Sequence, residues 1–278
     1  MTARALALVL LTASGAAGAQ TDSEVGRAAD SLFAAVLDAN RAALVGHTSL
    51  AASGPEGTLY YRIDAEGNAR CRLAPRNLAL TELGEIFCLS MATADEWMAD
   101  DVPEADDGPM KVEMRSDVWE GAPVHVVTLR DLDDAFDTME MWIGDGSPVL
   151  RRIWMSGRLG GSPDTVEMEL RYDDVRTEAG VPFPRRIRFR FPEVRAMLGE
   201  TIEAWEATGQ SLHELYAQAQ ARHKANPSAE SAVGLGMLKA AITGTPFEIG
   251  FPIEEVRLDG PVPEGLFDDE AGGARSGR

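Results

Sequence analysis

Residues 165–191, TVEMELRYDDVRTEAGVPFPRRIRFRF, alternate between apolar and polar side chains, and that period constrains the chain more than any other feature. Val166, Met168, Leu170 and Tyr172 interleave with Glu167, Glu169, Arg171 and Asp173; after a turn, Ile187, Phe189 and Phe191 interleave with Arg186, Arg188 and Arg190. A two-residue period puts each set on one face of a strand. The stretch therefore predicts an antiparallel hairpin with one apolar and one wet face. Gly180 supplies a bend with positive φ, and Pro182 and Pro184 fall where the second strand begins and an amide is dispensable. The arginines of the wet face predict ion pairs with acidic neighbours.

The same signal recurs along the chain. Residues 59–63 and 69–73 read as a first hairpin around the turn 64–68, preceded by a Gly, Pro and Ser connection. Strands follow at 110–119, 122–129, 138–144 and 149–156, each bounded by Gly, Pro or Asp, with no crossover helix between them. Phe247, Ile249, Phe251 and Ile253 alternate in a closing strand until Val256 and Leu258 shift the phase by one, which predicts a bulge near Glu254.

Helical spacing frames these strands. Val25, Ala28, Ala29, Leu32, Phe33, Val36 and Leu37 form one stripe over residues 23–45, which Gly46 ends. A short helix is expected at 93–98, before the acidic loop DDVPEADDG. From Pro192 the period becomes helical through Val194, Met197, Leu198, Ile202 and Trp205, then through Leu212, Leu215, Tyr216 and Ala219, then from Ser228 to Ile242. The last run, SAVGLGMLKAAI, is apolar on nearly all sides, so it is either enclosed or exposed for a purpose. The fold class is α+β: a curved, unclosed antiparallel sheet covered by helices, with a helical insertion at 192–244 before the last strand.

Arg4, the apolar run 5–11 and Ala17-Gly18-Ala19 have the order of a secretory signal peptide over residues 1–19, with cleavage before Gln20. No cysteine follows that site to carry a lipid. The expected mature chain is one domain over 20–267 with a disordered tail at 268–278, and a hydrophobic content of 45% suffices for a sizeable core. It is expected in the periplasm or otherwise secreted. There an even cysteine pair, Cys71 and Cys88, reads as a structural disulfide, closing a loop of about 17 residues and contributing about 3 kcal/mol. The formal net charge of -19 disfavours nucleic acid as a partner.

Catalytic signatures are weak. His47, His125, His213 and His223 stand apart with no metal-ligand spacing, no G-x-S-x-G is present, and Gly234-x-Gly236 follows no strand. Residues 156–162 read as a hairpin loop, Asp131, Asp133, Asp134 and Asp137 as a polar turn, and the carboxylates of Asp173 and Asp174 lack a partner that would separate their pKa values. The sequence assigns no catalytic residue, metal or cofactor.

The order of elements, the stretch YDDVRTEAGVPFPRRIRF with Tyr172, Gly180 and Pro184, and a closing strand ending in VRLDGPVPEGLF with Pro263, Glu264, Leu266 and Phe267 together resemble the LolA-like family of periplasmic lipoprotein carriers. That resemblance implies a half barrel whose concave side, under helices, encloses a cavity for acyl chains. The block 192–244 departs from the family pattern, and no binding residue carries over by motif. Residue parity instead nominates a methionine-rich wall: Met114, Met139, Met141, Ile153, Met155, Met168, Leu170, Phe189 and Phe191. Methionine repacks readily around apolar ligands of variable shape; the same side chains would equally fill a core. Trp142 and Trp154 extend either arrangement, and Met197, Trp205, Leu235 and Leu238 are candidate lid residues.

Two functions follow from different classes. One is a carrier that holds a lipid or an acylated protein without covalent chemistry. The other is an envelope interaction or stress-sensor protein whose core is filled by its own side chains and whose partner is a protein. A secreted hydrolase is a third reading that lacks a nucleophile motif.

Overall fold

The computed structural model describes residues 24–75, 88–91, 111–130, 137–158 and 165–267. The signal peptide, the helix expected at 93–98, the acidic loop after it, Asp131, Asp133, Asp134 and the tail from Asp268 lie outside these residues.

The alternating hairpin forms as its period requires. Strand β8 (Thr165–Glu178) pairs with β9 (Val181–Phe191), and Gly180 at the turn has φ +92°. On one side, β7 (Leu150–Arg158), β6 (Thr138–Gly144), β5 (Ala122–Arg130) and β4 (Lys111–Trp119) continue the sheet in reverse chain order; on the other, β10 (Phe247–Pro252) completes seven strands. A second sheet has the order β11 (Glu255–Leu258), β1 (Ser49–Gly54), β2 (Gly57–Ile63) and β3 (Ala69–Pro75). All pairings among the described strands are antiparallel. The fold is α+β, built on an unclosed antiparallel sheet.

The two sheets are joined by the closing strand. Pro252 ends β10 and Glu255 begins β11; between them the Ile253 amide donates to the Arg185 carbonyl of the large sheet, at 2.9 Å, and the Glu254 amide to the Ser53 carbonyl of the small one, at 2.9 Å. The irregularity expected near Glu254 is therefore the point where one strand changes sheets. Packing there is close: a Cβ added to Gly54 would lie 1.9 Å from the Pro252 carbonyl oxygen.

Helix α1 (Glu24–Leu44) packs against β4 and β9. Ala29 and Leu44 are buried and Leu32 and Phe33 lie against the core, whereas Val25, at the start of the expected stripe, is exposed. The inserted block comprises α2 (Val194–Met197), α3 (Gly199–Ala207), α4 (Leu212–Ala225) and α5 (Ala229–Thr243). Ser211 and Ser228 each form a capping box, with Glu214 and Ser231 respectively, and Gly244 ends α5 with φ +65°. Cys71 and Cys88 form the expected disulfide, with Cα atoms 5.7 Å apart.

Three expectations need correction. Residues 49–54, SLAASG, are the strand β1, not a connection: their small side chains carry no strand signal, yet β1 lies between β2 and β11. The first inserted helix is two short helices, interrupted at Leu198. The loop expected at 156–162 begins later, because β7 runs on to Arg158.

Replacing Gly54 by Ala should destabilise the protein by about 3 kcal/mol, because backbone must move where the sheets join. Gly250→Ala is the control: its new Cβ would meet nothing nearer than the Arg188 side chain, at 3.9 Å. Thermal unfolding should fall by roughly 6–12 °C for the first and stay nearly unchanged for the second.

Candidate functional site

Strand parity and register assemble the candidate wall. Residues directly opposite one another in a ladder share a face. Leu129, Met139, Met155 and Met168 therefore form one row across four strands. Beside it, Met114, Val127, Met141, Ile153, Leu170, Phe189 and Ile249 form a row across all seven. A third row, Tyr172, Ile187 and Phe251, continues the face toward the sheet junction.

Eight of the nine wall residues nominated from sequence are buried, and Met139, Ile153, Met168 and Leu170 are 0% exposed, so this conformation is closed around them. Met114 is different: it stands on the edge strand and is 39% exposed. Phe189 and Phe191 meet edge to face, with ring centroids 4.5 Å apart. Of the candidate lid residues, Met197, Trp205 and Leu238 pack against the same core, and all four, Leu235 included, are only half-buried.

Tyr172 introduces polarity that sequence reading had treated as simple alternation. It is 2% exposed, and its hydroxyl is buried without a hydrogen-bond partner. Burial pushes the phenol well above its ordinary pKa, and nearby Tyr61 adds to the effect. Tyr61 is itself buried and packs edge-on against Phe183 at 5.9 Å.

The opposite face has its own organisation, and Trp142 and Trp154 belong there, not in the wall. Each is opposite polar residues: Trp142 beside Arg152, and Trp154 between Glu140 and Glu169. With Val124, Val126 and Trp119 they make a small separate cluster. Arg152 lies over the Trp142 ring at 4.1 Å, and Arg171 over Trp119 at 5.2 Å. At its centre the Glu169 carboxylate is only 1% exposed and is held by Arg152, by Arg171 Nε at 2.8 Å and by Arg190 Nη1 at 3.3 Å. Burial pushes its carboxyl up, but the Arg171 hydrogen bond and the charges of Arg152 and Arg171, with Arg190, outweigh this and hold it below the usual value. Arg188 binds Asp173 on the same face, through Nη2 at 2.9 Å, as the alternation predicted.

Three of the four histidines weighed for catalysis, and both aspartates, are engaged elsewhere. His47 bonds Asp259 at 2.8 Å, His125 bonds Asp145 at 3.0 Å, and His223 bonds Ser231 at 2.6 Å. Asp173 and Asp174 each pair with an arginine. Gly236 lies over the ring of Phe247, so this glycine serves the packing of α5 on β10. Among the described residues no three His, Cys, Asp or Glu side chains gather as metal ligands, and no helix is long and apolar enough to cross a membrane. A recess of about 440 Å³ at the α3–α4 turn, beside Arg195, Gln210, His213 and Ile242, receives no side chain from the sheet.

No family profile matches the chain, and no curated protein does. Among solved structures, a LolA superfamily protein from Nitrosomonas europaea is similar over 55% of this chain and 83% of that one, at 11% identity and a TM-score of 0.27. The chain's structure resembles a LolA superfamily protein. A TM-score that low decides nothing about function, which has to be read from the residues themselves.

Two substitutions should move stability in opposite directions. Tyr172→Phe removes an orphan hydroxyl and should stabilise by about 1 kcal/mol. Glu169→Gln leaves three guanidinium groups without a counter-charge and should cost about 3 kcal/mol at pH 7. Because the folded Glu169 pKa lies below its unfolded value, its contribution is present above the ordinary carboxylate range and is lost as pH falls through the folded pKa. In urea titrations the gap between wild type and Glu169→Gln should therefore narrow as pH is lowered from 7 to 3.

Proposed function

We propose that this protein is an exported carrier that holds the acyl chain of a lipid or an acylated protein between the methionine wall and the helices α2–α5, without covalent chemistry. The observation that carries this reading is the row Leu129, Met139, Met155 and Met168, three adjacent methionines in register that share one hydrophobic core with residues of the inserted helices. A core selected only for one fixed packing favours side chains with well-defined rotamers. Unbranched, polarizable thioethers instead conform to apolar chains of differing length and saturation.

The cover is suited to opening. It leaves the sheet after Phe191 and returns at Phe247, and these two residues are paired with each other. Both ends of the block are thus attached at one place, so it can lift as a unit while β9 and β10 stay paired. Pro192 and the segment Gly244 to Pro246 stand at the two attachments. Helix α5 is apolar on most sides yet keeps Val233, Leu235, Met237 and Leu238 only half-buried, which favours cover over permanent core. The disulfide and the expected signal peptide support the periplasm as the compartment.

Burial of eight of the nine wall residues favours a second reading, in which the core is self-filled and the protein acts through a protein partner. Native mass spectrometry separates the two. Protein purified from its own periplasm should carry about one acyl-containing molecule per chain, recovered by organic extraction, or take one up from added phospholipid or synthetic lipopeptide. A clean apo mass with no uptake of either would overturn the carrier and leave the self-filled protein.

A further inference from the structure

The edge strand β4 carries a regular pattern of alternating charge. Among the described residues it pairs only with β5. Seven of its nine residues are exposed, Val112 and Trp119 being the exceptions. Its outer face reads Lys111, Glu113, Arg115, Asp117, with the charge sign alternating at every position. The β5 residues opposite the last three are Thr128, Val126 and Val124, all uncharged. On this face Arg115 lies 3.7 Å from Asp117 and 3.5 Å from Glu140, and Glu113 lies 3.5 Å from Arg130.

We infer that β4 is the contact strand of a symmetric dimer, in which a second copy adds its own β4 antiparallel to this one about a two-fold axis at Met114. A two-fold pairing joins residues whose numbers have a constant sum, and only even sums keep outer face to outer face. With the axis at Met114, Lys111 faces the partner's Asp117 and Glu113 faces the partner's Arg115, and symmetry repeats both pairs. All four contacts join opposite charges. Moving the axis by one residue to position 113 sets Lys111 against the partner's Arg115 and Glu113 against its own copy; moving it to position 115 sets Arg115 against its own copy and Glu113 against the partner's Asp117. The charge pattern thus selects one register and rejects its neighbours, as specific edge pairing requires. On the inner face Met114, 39% exposed in the single chain, would be covered by its symmetry mate. This inference stands apart from the carrier reading, because its register is set by the outer-face charges and, of the wall, it involves only the exposed Met114.

The formal net charge of -19 per chain sets the salt dependence. Two such bodies repel over the Debye length, about 30 Å at 0.01 M salt but only about 8 Å at 0.15 M, whereas ion pairs in contact are screened less. Dimerisation should therefore strengthen between those two salt concentrations.

Sedimentation equilibrium of the full mature chain tests the register. Wild type should form a dimer. Glu113→Arg and Arg115→Glu should each be at least about tenfold weaker as homodimers, because each sets two like charges against each other twice over. Mixed one to one, they should form a heterodimer within about threefold of the wild-type affinity. In that pairing the arginine introduced in the first variant faces the glutamate introduced in the second, and the unchanged Arg115 of the first faces the unchanged Glu113 of the second. Recovery in the mixture also shows that neither variant failed by misfolding. A wild type that stays monomeric at millimolar concentration, a dimer that both variants retain, or variants whose mixture does not recover would each overturn the proposal.

Discussion

The architecture depends on a single crossing. Neither sheet closes on itself, and the closing strand belongs to both: its first half bonds to β9 and its second half to β1. At the change-over, successive amides at Ile253 and Glu254 donate to opposite sheets. The neighbouring chain has been shaped to admit it, since Gly54 leaves room for the Pro252 carbonyl that no other residue would leave. Beyond the crossing, Asp259 accepts from the Thr48 amide at 2.7 Å and from His47, so one carboxylate ties the end of β11 to the start of β1. The His47 and Thr48 contacts hold that carboxyl below its ordinary pKa.

Two faces of one sheet then solve different problems. The inner face carries an apolar surface shared with the helices, into which the orphan hydroxyl of Tyr172 intrudes. On the outer face the described cluster draws no residue from a helix and relies on aromatic rings and guanidinium planes, stacked around a buried carboxylate. Three cations around one anion is an arrangement that tolerates burial only while every member is present.

Most of the fold was legible because a two-residue period is hard to produce otherwise. Seven strands of the large sheet, the N-terminal helix, the disulfide pair and the helical block could be read from spacing and turn residues. What escaped had a physical reason in each case. SLAASG has no side chains large enough to advertise a strand, and its pairing comes from long-range partners at residues 58–62 and 255–258. Parity already separated Trp142 from Met141, but aromatic size suggested the interior until the ladder placed it beside Arg152. Glu169 alternates like any surface acid, and only the assembled sheet shows three arginines converging on it. Which residues share the candidate wall was readable from the sequence; how closely they are packed depends on their contacts with the helices and was not.

The position of the closing strand has a consequence for how the chain comes to be folded. The small sheet pairs residues near 50 with residues near 257, and the His47 to Asp259 contact spans 212 positions. Contacts of that separation form late, because the chain between them must first be ordered. Until the last segment has been delivered, β1 and β9 each lack a neighbour and present a bare hydrogen-bonding edge, and the apolar inner surface is only partly covered. A chain that crosses a membrane from its N-terminus onward would pass through this state every time it is made. Its folding intermediate, more than its native state, is then the form that needs protection from aggregation.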